Sequence, residues 1–560
     1  MNRKKRILIC NDAHFLLTGY AKYSREVLSR LAKTGKYEIA ELACFGEVND
    51  SKCQDVPWTY YANSVSNQHP LYSHYISHPQ NEFGSWRFER TCLEFKPDIV
   101  IDIRDPWMLS FEYDSPLRQF YHWSIMPTVD SHPQQKDWID MFNSADSVLT
   151  YSHYGKNVLE NESNNNIKVV DVASPGVDLD VFKPVDDKKE LRKNIGFFEN
   201  ANIIGTIMRN QTRKLYPDLF QAFKKFIDLC YERDRKDLAD NTFLYVHCSY
   251  PDAGWEIPEL LLEHEISHKV IFTYVCHNCG NVFCNFFRGP RSVCHRCNSI
   301  NATLPNTAVG LDASQLSTVF NFFDVYIQYA VCEGFGMPQV EAAACGLPIM
   351  TVNYSAMEDI VENCGGIPLE VERMFRDIGT NSYRALPDNL KTAEEFYKFV
   401  NTPQDMRRIK GRKSRKSAEM CYNWDRTAKI WEKHLDSIEL TGLQGKWDAP
   451  IRNIKSNIPK LPDNFNNIPN NVFVNWVIEE VMQQPEKLNT RFAAKMIKDL
   501  NFGAVKSGRD IKLFNKQDFY NLAVDIAKQH IDCEMVRTGN MDVEPMDYIT
   551  FANERDKYIK

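Results

Sequence analysis

Glu333-Gly-Phe-Gly-Met-Pro-Gln-Val-Glu341-Ala-Ala-Ala-Cys-Gly-Leu-Pro348 places two carboxylates eight residues apart around a Gly-x-Gly turn that leads into a helix. Glycines let a backbone approach a phosphate closely, and a helix N-terminus offers unbonded N–H groups and the positive end of its dipole. Ionised carboxylates are strong acceptors for sugar hydroxyls. Glu333 precedes the turn and is placed to meet a sugar. Glu341 lies about one turn into the helix and is placed to meet a ribose. The pattern suits a nucleotide diphosphate-sugar; a plain strand–turn–helix with surface acids has the same outline.

Working outward, this segment closes a series in which strands alternate with helices. Apolar runs at 203–208, 243–248, 270–275 and 325–329 read as strands, with helices at 219–230, 315–323 and 339–344. An earlier series has strands at 6–10, 38–45, 98–103, 121–126 and 147–151, with helices at 23–31 and 138–142. Such alternation indicates parallel sheets covered on both faces. The expected fold is α/β, two Rossmann-like domains facing a cleft, with ligands beyond the carboxyl ends of the strands. The expected organisation is an N-terminal acceptor domain at 1–185 and a C-terminal donor domain at 186–440, the latter carrying an insertion at 274–303. One or two long helices at 405–435, an Asn/Pro/Lys-rich linker at 441–470 and a helical appendage at 471–560 complete it.

Bulk properties narrow the classes. A chain of 560 residues that is 43% hydrophobic and 25% charged is neither disordered nor a disulfide-stapled miniature. No apolar run approaches the roughly 20 residues of a membrane span, and the apolar stretch at 7–10 is too short for a signal peptide. The 16 cysteines are scattered apart from five at 276–297, which reads as reduced thiols in a cytoplasmic protein. The net charge of −7 does not favour nucleic acid, although a local basic patch could.

Further segments resemble one family in order. Ser174-Pro-Gly-Val-Asp-Leu-Asp-Val-Phe-Lys-Pro184 is similar to an interdomain segment of glycosyltransferase family 4, retaining enzymes with the two-Rossmann GT-B fold. Ile204-Gly-Thr-Ile-Met-Arg209, followed by Lys214, resembles the strand and phosphate loop opening that family's donor domain. Asn423-Trp424-Asp425 resembles its aromatic stop before the last helix, and the Glu333–Pro348 stretch resembles its signature.

The resemblance covers about residues 6–440. It implies transfer of a hexose or pentose from a nucleotide-diphosphate sugar, a UDP-sugar first among donors, to an acceptor hydroxyl. It implies that Arg209 and Lys214 hold the diphosphate, that Glu333, Gly334, Phe335, Gly336 and Glu341 complete the donor site, and that Phe335 and Gly336 supply backbone N–H groups. Arg forks onto phosphate oxygens and Lys adds a point charge, and both would stabilise the leaving diphosphate. Gly19 matches the glycine turn of the acceptor domain, where Thr18-Gly19-Tyr20 departs from the family's usual pair of glycines.

The family's His-Asp or His-Gly position falls at Asp130-Ser-His132. Either residue could orient the sugar or accept a proton; a surface loop is the plain alternative for His132. The resemblance implies same-face attack, assisted by the donor phosphate, without a catalytic metal. Asp178-Leu-Asp180 has metal-motif spacing but lies in the interdomain segment and reads as structural.

Cys276-His-Asn-Cys279 and Cys294-His-Arg-Cys297 form two C-x2-C knuckles fourteen residues apart, the spacing of a structural four-thiolate zinc site. Gly280 and Asn298 follow the second cysteine of each pair, where a tight knuckle needs left-handed backbone. A closed site leaves no position for water, so the zinc is assigned no catalytic role. The ribbon could grip an acceptor or could be a stabilised surface excursion.

Seven of the ten residues 407–416 are basic, which reads as a solvated helix or as a surface for a polyanion. Ribbon and helix together allow a nucleic-acid acceptor, hydroxymethylated DNA included, as in some virus-encoded members of this enzyme class, which would place the chain in a host cytoplasm. Lipid, glycan and protein acceptors stay open. The other functional class is a non-catalytic nucleic-acid or glycan binder on a decayed transferase. The presence of Arg209, Lys214, Glu333 and Glu341 argues against it.

Overall fold

A computed structural model of the chain describes residues 3–440 except 49, 54, 55, 70, 71, 116, 195–198 and 307–309, and also Trp447. The expected appendage at 471–560, and the expected linker apart from Trp447, lie outside the described residues. The chain forms two compact units. The first holds the described residues up to Pro127, Asp140–Val148 and those from Glu432 on; the second holds Thr128–Ile139 and Leu149–Trp431.

The first sheet has seven strands: β1 (Lys5–Asp12), β2 (Tyr37–Cys44), β3 (Thr59–Ala62), β4 (Ile99–Asp102), β5 (His122–Ile125), β6 (Ser147–Thr150) and β7 (Val169–Val172). Their order is β3-β2-β1-β4-β5-β6-β7, and the pairs β1–β2, β2–β3, β1–β4, β4–β5 and β5–β6 are parallel. The order reverses direction between β1 and β4, the signature of a doubly wound sheet.

The second sheet repeats the plan. Its strands are β8 (Asn202–Ile207), β9 (Thr242–His247), β10 (Val270–Cys276), β11 (Val282–Phe286), β12 (Arg291–Ser292), β13 (Ala302–Thr303), β14 (Val325–Gln328), β15 (Ile349–Val352) and β16 (Ile367–Leu369). The path is β12-β13-β10-β9-β8-β14-β15-β16, with β11 antiparallel against β10. From β10 to β16 the pairs are parallel, and the switch point lies between β8 and β14. Ile203, Ile204, Leu244, Val246, Ile271, Phe272, Val325 and Ile327 are all buried, as strands covered on both faces require. The helix Tyr216–Glu232 lays Leu219, Phe220, Phe223 and Phe226 into this core, and Phe226 meets Phe396 edge-on, 6.1 Å between ring centroids.

The expected strands and helices are present with ends moved by at most four residues. Elements not named from the sequence include β3, β7, β11, β12, β13, β15, β16, the helices His153–Glu162, Ile257–Glu263, Met357–Cys364 and Asn389–Asn401, and a hairpin, β17 (Val371–Arg376) with β18 (Tyr383–Pro387). The long helical stretch is two helices, Gln404–Cys421 and Trp424–Ser437, separated at Tyr422-Asn423.

Two of the quoted motif segments touch. The Val177 amide donates to the Tyr422 carbonyl at 3.0 Å, and Val177 bridges Asn423. A Cβ at Gly176 would lie 2.3 Å from the Trp424 nitrogen, so this approach requires glycine. Asp178 Oδ1 accepts from the amides of Asp180 at 3.1 Å and Val181 at 3.2 Å, making Asp178-Leu-Asp180 a self-bonded turn.

Candidate active site and metal centre

Because β8 and β14 are neighbours, the loops that follow them run side by side. The Leu215 amide donates to the Tyr329 carbonyl at 3.0 Å, the Val331 amide to the Arg213 carbonyl at 3.0 Å, and Lys214 bridges Ala330. This cross-loop ladder carries Arg213 and Lys214 to Glu333, more than a hundred residues away in sequence. Lys214 Nζ contacts Glu333 Oε1, Arg213 Nη1 lies 2.8 Å from Oε2, and Gln328 Nε2 donates to Oε1 at 2.5 Å. The Glu333 amide donates to Ser355 Oγ at 2.9 Å.

Lys214 and Glu333 are both buried, whereas Arg213 is 45% exposed. Burial first, and the Arg213 guanidinium second, push the Lys214 pKa well down. The contact with Glu333 opposes both effects and favours the ammonium. Two cations against one carboxylate leave surplus positive charge at the switch point, where an anion is expected to bind.

Arg209, at the end of β8, forks onto Asp252, with Nε 2.8 Å from Oδ2 and Nη2 2.9 Å from Oδ1. Hydrogen bonding from Arg209 holds the Asp252 carboxyl well below the usual range. The Gly-x-Gly turn leads into the helix Met337–Ala344, with Gly336 as its cap at φ +86°, a conformation suited to glycine. The Phe335 and Gly336 amides donate no hydrogen bond among the described residues. The Phe335 ring is buried edge-on against Tyr422 at 5.6 Å. A Cβ at Gly334 would lie 2.4 Å from Thr128 Cγ2. Glu341 is buried in the helix. Its charge contributes to raising the Tyr326 phenol, which burial raises most. That phenol donates to Gln328 Oε1 at 2.5 Å, so a polar chain runs from beside Glu341 to Glu333.

Asp130 and His132 lie in the second unit, fastened by β18 and the residue before it. Arg384 Nη1 is 2.8 Å from Asp130 Oδ1, Ser131 Oγ is 2.9 Å from Ser382 Oγ, and the Tyr383 amide donates to the His132 carbonyl at 2.7 Å. Asp130 also accepts from Ser131 Oγ at 2.8 Å and from the Cys332 thiol at 3.2 Å. His132 Nδ1 is 3.0 Å from the Tyr154 hydroxyl, and its exposed ring lies among Tyr154, Tyr354 and Tyr383. His132 Nε2 has no hydrogen-bond partner among the described residues.

Gly19 belongs to the first unit, as the first residue of the helix Gly19–Thr34. Thr18 caps that helix, accepting from the Ala21 amide at 3.1 Å and donating to Asp12 Oδ2 at 2.6 Å.

The four cysteine sulfurs of the knuckles converge, all within 4.8 Å of one another. Cys276 and Cys297 are 3.5 Å apart and Cys279 and Cys294 3.7 Å. A zinc tetrahedron with bonds of about 2.3 Å has edges of about 3.8 Å, so the four thiols fit that ion. Gly280 at φ +68° and Asn298 at φ +55° turn the two knuckles, and their amides donate back to the Cys276 and Cys294 carbonyls at 2.9 Å. Cys284 lies on β11, outside the cluster, and burial pushes its thiol up to about 12. The knuckles are part of the sheet edge: β10 pairs with β11 on one side and, at Val275 and Cys276, with β13.

The basic stretch at 407–416 is not uniform. Arg407 donates to the Thr402 and Val400 carbonyls at 2.7 Å, and Arg415 to those of Phe182 at 2.6 Å and Ala344 at 2.7 Å. These two belong to the fold, and the exposed cations are Arg408, Lys410, Arg412, Lys413 and Lys416.

Sequence reasoning missed Arg213, Gln328, Asp252 and Arg384. Arg213 stands beside Lys214, so its charge was legible; the other three acquire partners only through the sheet order and the hairpin.

No protein-family model matches the chain, and no curated protein does. Solved structures match its fold. A sucrose-phosphate synthase from Thermosynechococcus elongatus is 15% identical, with a TM-score of 0.54 over 78% of this chain and 100% of its own. A glycosyltransferase from Rickettsia africae is 14% identical, with a TM-score of 0.52 over 80% of this chain and all of its own. The Anabaena protein HepE in complex with UDP and glucose is 12% identical, with a TM-score of 0.52 over 78% of this chain and all of its own. The chain thus has the α/β fold with Rossmann-like parallel sheets expected of it. Among the described residues no helix is long and apolar enough to cross a membrane.

Proposed function

We propose that this chain is a GT-B glycosyltransferase of the family 4 type, taking a nucleotide-diphosphate sugar, a UDP-sugar first, and transferring its sugar with retention to an acceptor hydroxyl. The observation that carries the reading is the convergence of Arg213, Lys214 and Gln328 on Glu333 at the switch point of the second sheet. The likeness in fold to proteins named as glycosyltransferases, one solved with UDP and glucose, supports it.

In this reading the donor diphosphate lies against Arg209, Lys214 and the amides of Phe335 and Gly336. The cations neutralise charge that builds on the leaving diphosphate. Glu333, steadied by three donors, orients the sugar, and Glu341 faces the ribose. Asp130 is committed to Arg384 and positions its segment, leaving His132, with its open Nε2, to meet the sugar. Gly19 and the first sheet serve the acceptor side. Cys276, Cys279, Cys294 and Cys297 hold one structural zinc, which would tie the ends of β10 and β13 together; no chemical step passes through it.

A panel of nucleotide sugars tests the reading by ligand-induced thermal shift and by donor hydrolysis. A shift with one uridine or other nucleotide sugar, accompanied by slow release of free sugar, is expected. If no nucleotide sugar shifts the melting temperature, the transferase reading fails; a shift with neither hydrolysis nor transfer to any acceptor would favour the non-catalytic binder.

A further inference from the structure

The zinc-knuckle insertion carries a charge pattern that the donor site does not use. From Ile266 to Leu311, 46 consecutive residues contain no Asp or Glu, in a chain that has 74 of them and a net charge of −7. The cations in this stretch are Lys269, Arg288, Arg291 and Arg296. Lys269 is buried and donates to the Ala239 carbonyl at 2.9 Å and the Asp240 carbonyl at 2.7 Å. The three arginines are exposed, and their guanidiniums form no hydrogen bond or ion pair among the described residues. Elsewhere in the same unit several exposed arginines find carboxylates, as Arg209 does with Asp252 at 2.8 Å and Arg233 with Glu394 at 2.6 Å. Three guanidiniums also outnumber the formal −2 of a zinc tetrathiolate, so offsetting the thiolates does not account for all of them.

We infer that the insertion carrying Arg288, Arg291 and Arg296 binds the phosphate backbone of duplex DNA, an inference that does not depend on the transferase reading. Unpaired guanidiniums on a stretch of chain without acids match an evenly charged polyanion, where each neutralised phosphate releases a counterion. Single strands are held mainly by exposed aromatic platforms. The phenylalanines of the insertion are not exposed: Phe283 lies beside Tyr274, Phe286 beside Phe243, and Phe287 against Phe272 and Tyr250. A compact knuckle fits the wide major groove of B-form DNA better than the deep, narrow one of A-form RNA.

The test uses the full chain, zinc-loaded and without nucleotide sugar, and a fluorescein-labelled DNA duplex read by anisotropy over a salt series. The triple variant Arg288→Gln, Arg291→Gln, Arg296→Gln is expected to bind at least about tenfold more weakly at low salt. Its log–log salt slope is expected to be shallower by about 2.7 than that of the unmodified chain. The control Arg408→Gln, Lys410→Gln, Arg412→Gln, on the helix Gln404–Cys421, is expected to stay within about twofold.

If the triple variant loses zinc, the single charge reversal Arg291→Glu on the two-residue strand β12 replaces it, with the same direction of effect expected. Absence of DNA binding by the unmodified chain, an unchanged slope in both knuckle variants, an equal loss in the helix control, or tighter binding of duplex RNA or single strands each overturns the proposal. A chain that binds DNA but no nucleotide sugar loses only the transferase reading; one that hydrolyses a nucleotide sugar but ignores DNA loses only this one.

Discussion

Arg209 and Asp252 form a two-pronged ion pair, Nε to Oδ2 at 2.8 Å and Nη2 to Oδ1 at 2.9 Å, that ties the ends of β8 and β9 together. The guanidinium is half-exposed and the carboxylate is not. Asp252 therefore fixes the direction of Arg209 while its remaining N–H groups stay open to a phosphate. Arg209→Ala is expected to lower kcat/KM for donor turnover by about 10²-fold, the equivalent of about 3 kcal/mol. Asp252→Asn alone should cost less, and the double variant no more than Arg209→Ala, because Asp252 acts through the arginine. Additive losses in that cycle would show two independent roles.

Lys214 and Glu333 depend on each other. Glu333→Gln removes the carboxylate in contact with the buried Lys214 ammonium, and about 3–5 kcal/mol of stability should go with it. Lys214→Met keeps the volume, leaves Glu333 paired with Arg213, and should be milder for stability while cutting turnover about 10²-fold. Urea unfolding and steady-state kinetics on the two variants separate the effects; equal stability loss in both would contradict the assignment of Lys214 as the buried charge at risk.

His132 and Asp130 should part company. With its Nε2 open, His132 is expected to lower kcat at least about tenfold when changed to Ala, with donor binding retained. Asp130→Asn, which loosens the Arg384 contact, should instead lower thermal stability. Donor affinity by calorimetry and melting curves decide between them.

Metal analysis of the purified protein should find about one zinc per chain. Cys276→Ser and Cys297→Ser should lose it, while Cys284→Ser, His277→Ala and His295→Ala keep it. A zinc-free wild-type protein would falsify the assignment.

Two buried histidines should make the fold sensitive to acid. Burial lowers the pKa of His247, bonded to Thr273 Oγ1 at 3.0 Å, and of His434, 3.0 Å from Ser124 and Ser147 Oγ, to about 4 each. At these two sites the unfolded chain binds more protons than the folded one between about pH 6.5 and 4, so their contribution to stability rises with pH across that window and is lost as pH falls through it. Each site contributes on the order of 3 kcal/mol. Unfolding free energies measured at several pH values should show this slope, flattened in His247→Asn and His434→Asn.

Much of this protein is written in its local sequence. The alternation of apolar strands with helices specified the α/β class, because period and burial are properties of neighbouring residues. The two C-x2-C knuckles, with Gly280 and Asn298 at their turns, specified the thiol cluster for the same reason, since each knuckle closes within five residues. The Gly-x-Gly turn before Met337–Ala344 was equally local. Tertiary structure alone decided who answers Glu333. Strand order puts β8 beside β14, and only that adjacency brings Arg213, Lys214 and Gln328 onto one carboxylate. It decided that Arg209 is held by Asp252 and Asp130 by Arg384, and that Arg407 and Arg415 are structural ties within a run that looks uniformly solvated. Charge type is visible in a sequence, but a charge's partner depends on where the sheet returns the chain.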